Sequence, residues 1–166
     1  MESISISDTN FTQDQPGRSV VDLRCLIDCT FDNVYIHNAD IGMDVDGSGT
    51  TTLTDSEVHG DQLGIRASGT GQLVVESSTI VANETAISIS SLDSEISQST
   101  ISLHNGVGPA AVLLEGEHQW NDVEIQNHTA ASILNLWVLM HGIQQSNQLR
   151  LQPTALLTVL SSRNQR

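Results

Sequence analysis

The chain of 166 residues is poor in the side chains that build most protein cores. Hydrophobic residues make up 38% of it and aromatic residues only 3%, whereas soluble domains usually contain about 45–50% apolar residues. A β-sandwich or a helical bundle of this length would need a larger hydrophobic core. The composition therefore favours a fold in which each structural unit buries only a thin interior of small side chains.

Lysine is absent, and the six cationic side chains are all arginine. Twenty Asp and Glu residues give a formal net charge of −14. Such acidity excludes nucleic acid as an expected partner, because phosphate binding requires a basic surface. Every acidic residue lies at or before Glu124, so residues 1–124 carry −17 (3 Arg minus 20 acids) and residues 125–166 carry +3. The C-terminal quarter therefore differs in character from the body.

Long apolar runs are also missing. No segment approaches the roughly 18 apolar residues of a membrane helix, so no membrane span is predicted. The first residues lack the basic start and apolar run of a signal peptide.

Two cysteines alone cannot complete a zinc site. We expect Cys29 to be a buried small residue, and a disulfide with Cys25 requires the backbone to bend between them.

What the chain does contain is a repeated six-residue pattern, which reads apolar, any, polar, small, any, apolar. Its copies step by 20, 27, 22, 21 and 24 residues and begin at Ile6, Leu26, Leu53, Val75, Ile96 and Trp120. In this register Cys29 occupies the small position of the second copy, and the long second step places an insertion at residues 32–40. A degenerate seventh copy is predicted at residues 143–149, with Leu149 as its last apolar position. A repeat of this length indicates a stacked architecture.

A second column follows each copy of the pattern. After a turn containing Asn or Gly, a small residue leads into alternating apolar residues, among which Met43, Ile65, Ile87 and Val112 are predicted to point inward. A repeat too short for a helical crossover, stacked many times, is a parallel β-helix with strands about 4.8 Å apart. The pattern therefore predicts an all-β solenoid of six to seven coils.

The pattern of residues 75–89, with its Asn83 bend and the strand Ala86-Ile87-Ser88-Ile89, resembles the parallel β-helix repeat of the pectate-lyase-like superfamily. The resemblance covers residues 4–134 and implies a right-handed, single-stranded β-helix. It also suggests an extracellular, cell-surface or virion-surface location. It is informative for fold and uninformative for activity, because that superfamily includes polysaccharide lyases, hydrolases, tailspikes and adhesins.

The chain is accordingly divided into β-helix coils at 1–134 and an atypical end at 135–166. An apolar connector occupies a position where other coils have surface turns, and it consists of Leu136, Trp137, Val138, Leu139 and Met140. An apolar run in such a position needs cover. The segment is therefore a C-terminal cap, a contact for self-association or a part of the chain outside the solenoid.

Few residues are candidates for chemistry. Asp44 and Arg66 should stack on adjacent coils, as a surface ion pair or, by resemblance to polysaccharide lyases, as catalytic groups. Asp44 and Asp46 would both face outward if Val45 points inward, and would then form a possible calcium site beside a Gly-rich bend. Four histidines, His37, His59, His104 and His128, lie beside the turn column, as exposed turn residues or as a metal strip.

Two functions remain open, beside a third in which a flat Thr/Ser face orders water or ice, for which Thr50-Thr51-Thr52 is the only sign. The first is a non-catalytic structural or adhesive module of a surface, phage or filament-type assembly, which associates with itself through its C-terminal apolar segment. The second is a small polysaccharide lyase or glycoside hydrolase that acts on an acidic polysaccharide and has a carboxylate cluster in an outward groove. No cofactor is predicted apart from the possible calcium ion.

Overall fold

In the computed structural model the chain winds into a parallel β-helix with three faces, described for residues 3–13, 18–90, 92–104, 112–114, 118–128 and 149–153. Strands joined by bends account for these residues, which contain no helix. The first face is a six-stranded sheet made of β1 (Ile4–Ser7), β4 (Asp28–Asp32), β6 (Thr50–Thr54), β8 (Gln72–Glu76), β11 (Asp93–Ser97) and β14 (His118–Asn121).

Two long strands, β5 (Tyr35–Gly47) and β7 (Glu57–Gly69), run around a corner and contribute to both remaining faces. The N-terminal parts of β5 and β7 belong to the second face. The other strands of this face are β2 (Asn10–Thr12), β9 (Thr79–Ala82), β12 (Thr100–Leu103), β15 (Val123–His128) and β16 (Leu149–Pro153). The C-terminal parts of β5 and β7 belong to the third face, together with β3 (Ser19–Cys25), β10 (Thr85–Ser90) and β13 (Val112–Leu114). The predicted all-β parallel solenoid is confirmed.

Strand residues alternate between the core and the surface, which is the period-two pattern of a half-buried strand. In β6, Thr51 and Leu53 are buried while the three threonines between and beside them are partly exposed. Consecutive coils align the same pattern, so that Phe31, Leu53 and Val75 form one fully buried column of the first face.

The corner between the first and second faces is a one-residue bend in the left-handed region of backbone space. The bend residue has φ between 49° and 55° in every described coil, at Asp8, Asn33, Asp55, Ser77, Gln98 and Asp122. Asn and Asp tolerate this conformation better than most residues, which accounts for the polar third position of the six-residue pattern. Left-handed backbone turns the strand without inserting a loop, so coils of about 22 residues can stack.

A ladder of serine hydroxyls connects the coils beside this bend. Ser56 Oγ accepts the Val34 N–H at 3.0 Å, Ser78 Oγ accepts the Ser56 N–H at 3.1 Å, and Ser99 Oγ accepts the Ser78 N–H at 3.1 Å. Each hydroxyl also donates to the carbonyl oxygen two residues earlier, at 2.6–2.7 Å. Because buried N–H groups need acceptors, the serines at the small position of the third to fifth copies have a structural role.

The register of the second copy differs from the prediction. Phe31, not Leu26, pairs with Ile6 and with Leu53, so the copy runs from Phe31 to Ile36 and its small position is Val34. First positions therefore step by 25, 22, 22, 21 and 24, by subtraction of the paired residue numbers.

The insertion predicted at residues 32–40 was also misplaced. Thr12 pairs with His37, and Ser19 pairs with Ile41. Between these two register positions the residue number advances by seven in the first coil and by four in the second. The extra length therefore lies between Thr12 and Ser19, in the first coil.

The cysteines lie at the corner between the third and first faces. Cys29 is buried, as predicted, but on the first face between Ile4 and Thr51, not in the small column. It forms a disulfide with Cys25 across a Cα–Cα distance of 6.0 Å. The bend that this requires is made by Leu26 and Ile27, which are exposed.

The second column is confirmed. Met43, Ile65, Ile87 and Val112 pair in register and are at most 1% exposed. They belong to one continuous core that runs along the solenoid axis.

The C-terminal part is described only in β16, which pairs with β15 so that Leu149 lies beside Val123 and Leu151 beside Ile125. The predicted seventh copy was therefore two residues out of register, because its last apolar position is Leu151. The predicted division at residue 134 falls outside the described residues and stays a prediction.

Candidate functional site

The predicted pair of Asp44 and Arg66 is present on the third face. The two residues are register partners on adjacent coils, and Arg66 Nε donates to Asp44 Oδ1 at 2.9 Å while Nη2 donates to Oδ2. The hydrogen bond to Asp44 raises the pKa of the Arg66 guanidinium, against an opposing effect of burial, and the charges of Asp44 and Asp22 add to the rise. Both Asp44 oxygens therefore accept from one guanidinium, which makes the carboxylate a weaker base toward a substrate.

Asp44 and Asp46 both face outward, because Val45 between them is buried. Asp46 Oδ1 also accepts a hydrogen bond from the Ser68 hydroxyl at 3.5 Å. Calcium takes six to eight oxygen ligands, of which these two carboxylates would supply a minority. Within the described ranges no three His, Cys, Asp or Glu side chains are grouped so that they could hold a metal ion.

The apolar connector that the sequence predicts as a self-association contact lies outside the described residues. It consists of Leu136, Trp137, Val138, Leu139 and Met140.

The structure reveals a different candidate site, a groove of about 390 Å³ on the second face near its corner with the third face. We call it the tyrosine groove. Its lining includes Tyr35, His37, His59, Asp61, Asn83 and His104. These residues come from four consecutive coils, so the groove crosses the strands along the solenoid axis. Three of the four histidines that the sequence placed beside the turn column are brought together here.

Tyr35 provides the aromatic surface of the groove. It follows the bend at Asn33 and points outward, because its neighbour Ile36 is fully buried in the alternating strand. Its ring is 4.7 Å from the His37 ring, centroid to centroid, and 5.8 Å from the His59 ring. With 38% of Tyr35 exposed, the ring is held by its neighbours and still accessible to a ligand.

Hydrogen bonds fix the two histidine rings. His37 Nε2 lies 2.9 Å from Asn10 Oδ1, and His59 Nε2 pairs with the Glu57 carboxylate. Since both partners are acceptor oxygens, each Nε2 acts as the donor of its bond. These surface hydrogen bonds orient the rings before any ligand arrives.

The backbone at the edge of the groove is tightly folded. Asn38 has φ of 59° and donates from Nδ2 to Thr12 Oγ1 at 3.4 Å. A Cβ at Gly60 would lie 1.9 Å from the Leu63 carbonyl oxygen, so only glycine fits there. Glycine at this position allows the backbone of Leu63 to pack closely against the lining of the groove.

Sequence reasoning identified the histidines and missed Tyr35. In the predicted register the tyrosine fell within a supposed insertion, whereas in the observed register it occupies the fifth position of the pattern, which faces outward. The signal was the spacing: a copy that starts at Phe31 restores a 22-residue step to Leu53, equal to the following step.

Comparison with known proteins identifies the fold family. Residues 2–136 match the family model described as the right handed beta helix region. No curated protein and no solved structure gives a significant match. Among the residues that the structure describes, no helix is sufficiently long and apolar to cross a membrane.

Proposed function

Because the chain belongs to the right-handed β-helix family, we propose that it is a non-catalytic adhesive module that contacts its ligand through the tyrosine groove. The observation that carries this proposal is the accessible Tyr35 ring, packed against two histidines whose own positions are fixed by hydrogen bonds. Small-molecule sites are typically concave and largely preformed, with a few placed polar groups.

The solenoid suits an adhesive role because it holds the groove rigid. The Tyr35 N–H donates to the Thr9 carbonyl at 2.9 Å, and the Glu57 N–H donates to the Val34 carbonyl at 2.9 Å. The backbone on both sides of the groove is therefore bonded from coil to coil. A surface that does not have to reorganise loses less conformational entropy when it binds.

A location at a cell or virion surface forms part of this proposal. The Cys25–Cys29 disulfide supports it, because disulfides persist in oxidising compartments and are rare in the cytosol.

We further propose self-association through the apolar segment at residues 136–140, which is supported by its composition. Light scattering of Trp137→Asp against the wild-type chain tests this, and a monomer in both cases refutes it.

The alternative is a polysaccharide lyase or glycoside hydrolase that uses Asp44 and Arg66. The observation that favours it is the stacking of the two side chains on one outward face, where a cation lies next to a carboxylate. On this reading the guanidinium would have to exchange Asp44 for an acidic sugar.

Affinity electrophoresis distinguishes the two functions. The protein is run through gels that contain a galactomannan, a β-glucan, polygalacturonate or gelatin, and each polymer is assayed afterwards for new reducing ends and unsaturated products. We expect retardation by at least one polymer without release of products. Retardation should be lost in Tyr35→Ala and retained in Asp44→Ala.

Leu26→Ala is the matched control, because Leu26 is an exposed apolar side chain at a different corner of the solenoid. If wild type and Tyr35→Ala migrate identically in every gel, the adhesive proposal is wrong. Products that disappear in Asp44→Ala would establish the enzyme instead.

A further inference from the structure

Given the proposed adhesive role, we infer that the ligand of the tyrosine groove is an uncharged saccharide. The inference rests on the charge, the hydrogen-bonding groups and the aromatic surface of the groove. It names the ligand class of a site that the family match does not assign.

Charge argues against an anionic ligand. The groove is lined by Asp61 and flanked by Glu57, and its described lining includes no arginine. Arg66 is engaged by Asp44 on the third face. With a net charge of −14 on the chain, an acidic polysaccharide would meet repulsion both at a distance and at contact.

The polar groups favour a polyol over a cation. The groove is lined by the Asp61 carboxylate, which accepts, by imidazole rings, and by Tyr35, whose hydroxyl both donates and accepts. Sugar hydroxyls also donate and accept, so they can match such a mixed set, whereas an ammonium group only donates. Glu57 Oε1 already accepts a hydrogen bond from His59 Nε2, so this oxygen is engaged and is less open to a cationic ligand.

The aromatic ring supplies the remaining contact. His37 at 4.7 Å and His59 at 5.8 Å pack against the Tyr35 ring, and the exposed surface that remains on Tyr35 is offered to the C–H groups of a pyranose. The volume of about 390 Å³ lies at the lower end of the roughly 300–1,000 Å³ that is typical of small-molecule sites. A short stretch of a glycan fits this space, with the rest of the chain in solvent.

The test is calorimetric titration of the full chain with three sets of oligosaccharides of equal length. The sets are uncharged (gluco-, manno- and galacto-oligosaccharides), anionic (oligogalacturonate) and cationic (chitosan oligomers). We expect binding in the uncharged set only. Tyr35→Ala should weaken it about tenfold or more, since an aromatic contact and its buried area are lost together. Tyr35→Phe keeps the ring and loses the hydroxyl, so it should weaken binding less than Tyr35→Ala does, and Leu26→Ala should leave the affinity unchanged.

Salt provides an independent readout, because charge–charge attraction is screened and hydrogen bonding to a neutral ligand is not. The dissociation constant of an uncharged saccharide should stay within about twofold between low and high sodium chloride. Tyr35-dependent binding of oligogalacturonate or chitosan oligomers, or failure of every uncharged oligosaccharide to bind, overturns the inference.

The affinity gels described above separate this inference from the proposed function. If Tyr35-dependent retardation occurs only with a charged polymer or gelatin, the adhesive role stands and the uncharged ligand is wrong. If the protein cleaves a neutral glycan, the uncharged ligand stands and the non-catalytic role is wrong.

Discussion

The serine ladder at the bend gives the sharpest test of how this chain stacks. Ser78 is 3% exposed, and its hydroxyl accepts the Ser56 N–H at 3.1 Å and donates to the Glu76 carbonyl at 2.7 Å. In Ser78→Ala the Ser56 N–H stays buried without that acceptor, because Ser56 itself is 5% exposed. An unsatisfied buried donor costs about 1–3 kcal/mol, so we expect a loss of about 2 kcal/mol in the free energy of unfolding.

Guanidinium denaturation followed by far-ultraviolet circular dichroism measures this loss. The midpoint should fall with an unchanged m-value, and the melting temperature should fall by roughly 4–8 °C for a chain of this size. The control is Ser88→Ala, since Ser88 is a partly exposed serine of β10 whose hydroxyl makes no hydrogen bond among the described residues. If Ser78→Ala and Ser88→Ala unfold at the same denaturant concentration, the hydroxyl ladder does not hold the coils together.

Three further predictions concern the bends and the surface. Asp55 has φ of 49°, so Asp55→Val should lower the free energy of unfolding by about 1–2 kcal/mol and Asp55→Gly should not, as measured by the same denaturation assay. Reduction of the Cys25–Cys29 disulfide, which closes a five-residue loop, should cost about 2 kcal/mol by the loop-entropy relation, and equal stability with and without reductant would contradict this. Asp44→Ala should change stability by less than about 1 kcal/mol, because the Arg66 side chain is 49% exposed and the pair is screened by solvent; a larger loss would mean that the pair is structurally essential.

The solenoid was predictable because three physical requirements recur at one period. Each coil has inward apolar residues at alternating positions and a left-handed bend residue, and the third to fifth coils add a small hydroxyl beside the bend. Leu53, Asp55 and Ser56 meet these requirements in the third coil, as Val75, Ser77 and Ser78 do in the fourth. Apolar alternation and a polar bend are visible in the letters of the sequence, and so the fold class and the inward column were correctly predicted.

The second coil was misread because two overlapping segments satisfy the same pattern. The segment that starts at Leu26 has a small residue, Cys29, at its fourth position, whereas the correct one has Val34 there. Val34 provides no hydroxyl, but its own N–H is accepted by Ser56 one coil later. Asn33 additionally donates from Nδ2 to Asp8 Oδ1 at 2.7 Å. These bonds join residues more than 20 positions apart, so inspection of one repeat at a time does not reveal them.

The error in register and the failure to predict the groove have the same origin. Tyr35 follows directly after Val34, and its outward direction is set by the Asn33 bend and by the burial of Ile36. The bend that starts the second face also aligns Tyr35 with Glu57 on the next coil, whose carboxylate then holds His59 against the tyrosine ring. Stacking and binding surface therefore depend on one set of backbone bonds. A groove built in this way moves only if the coils move, and for that reason we expect substitutions of its outward side chains to change binding with little effect on stability.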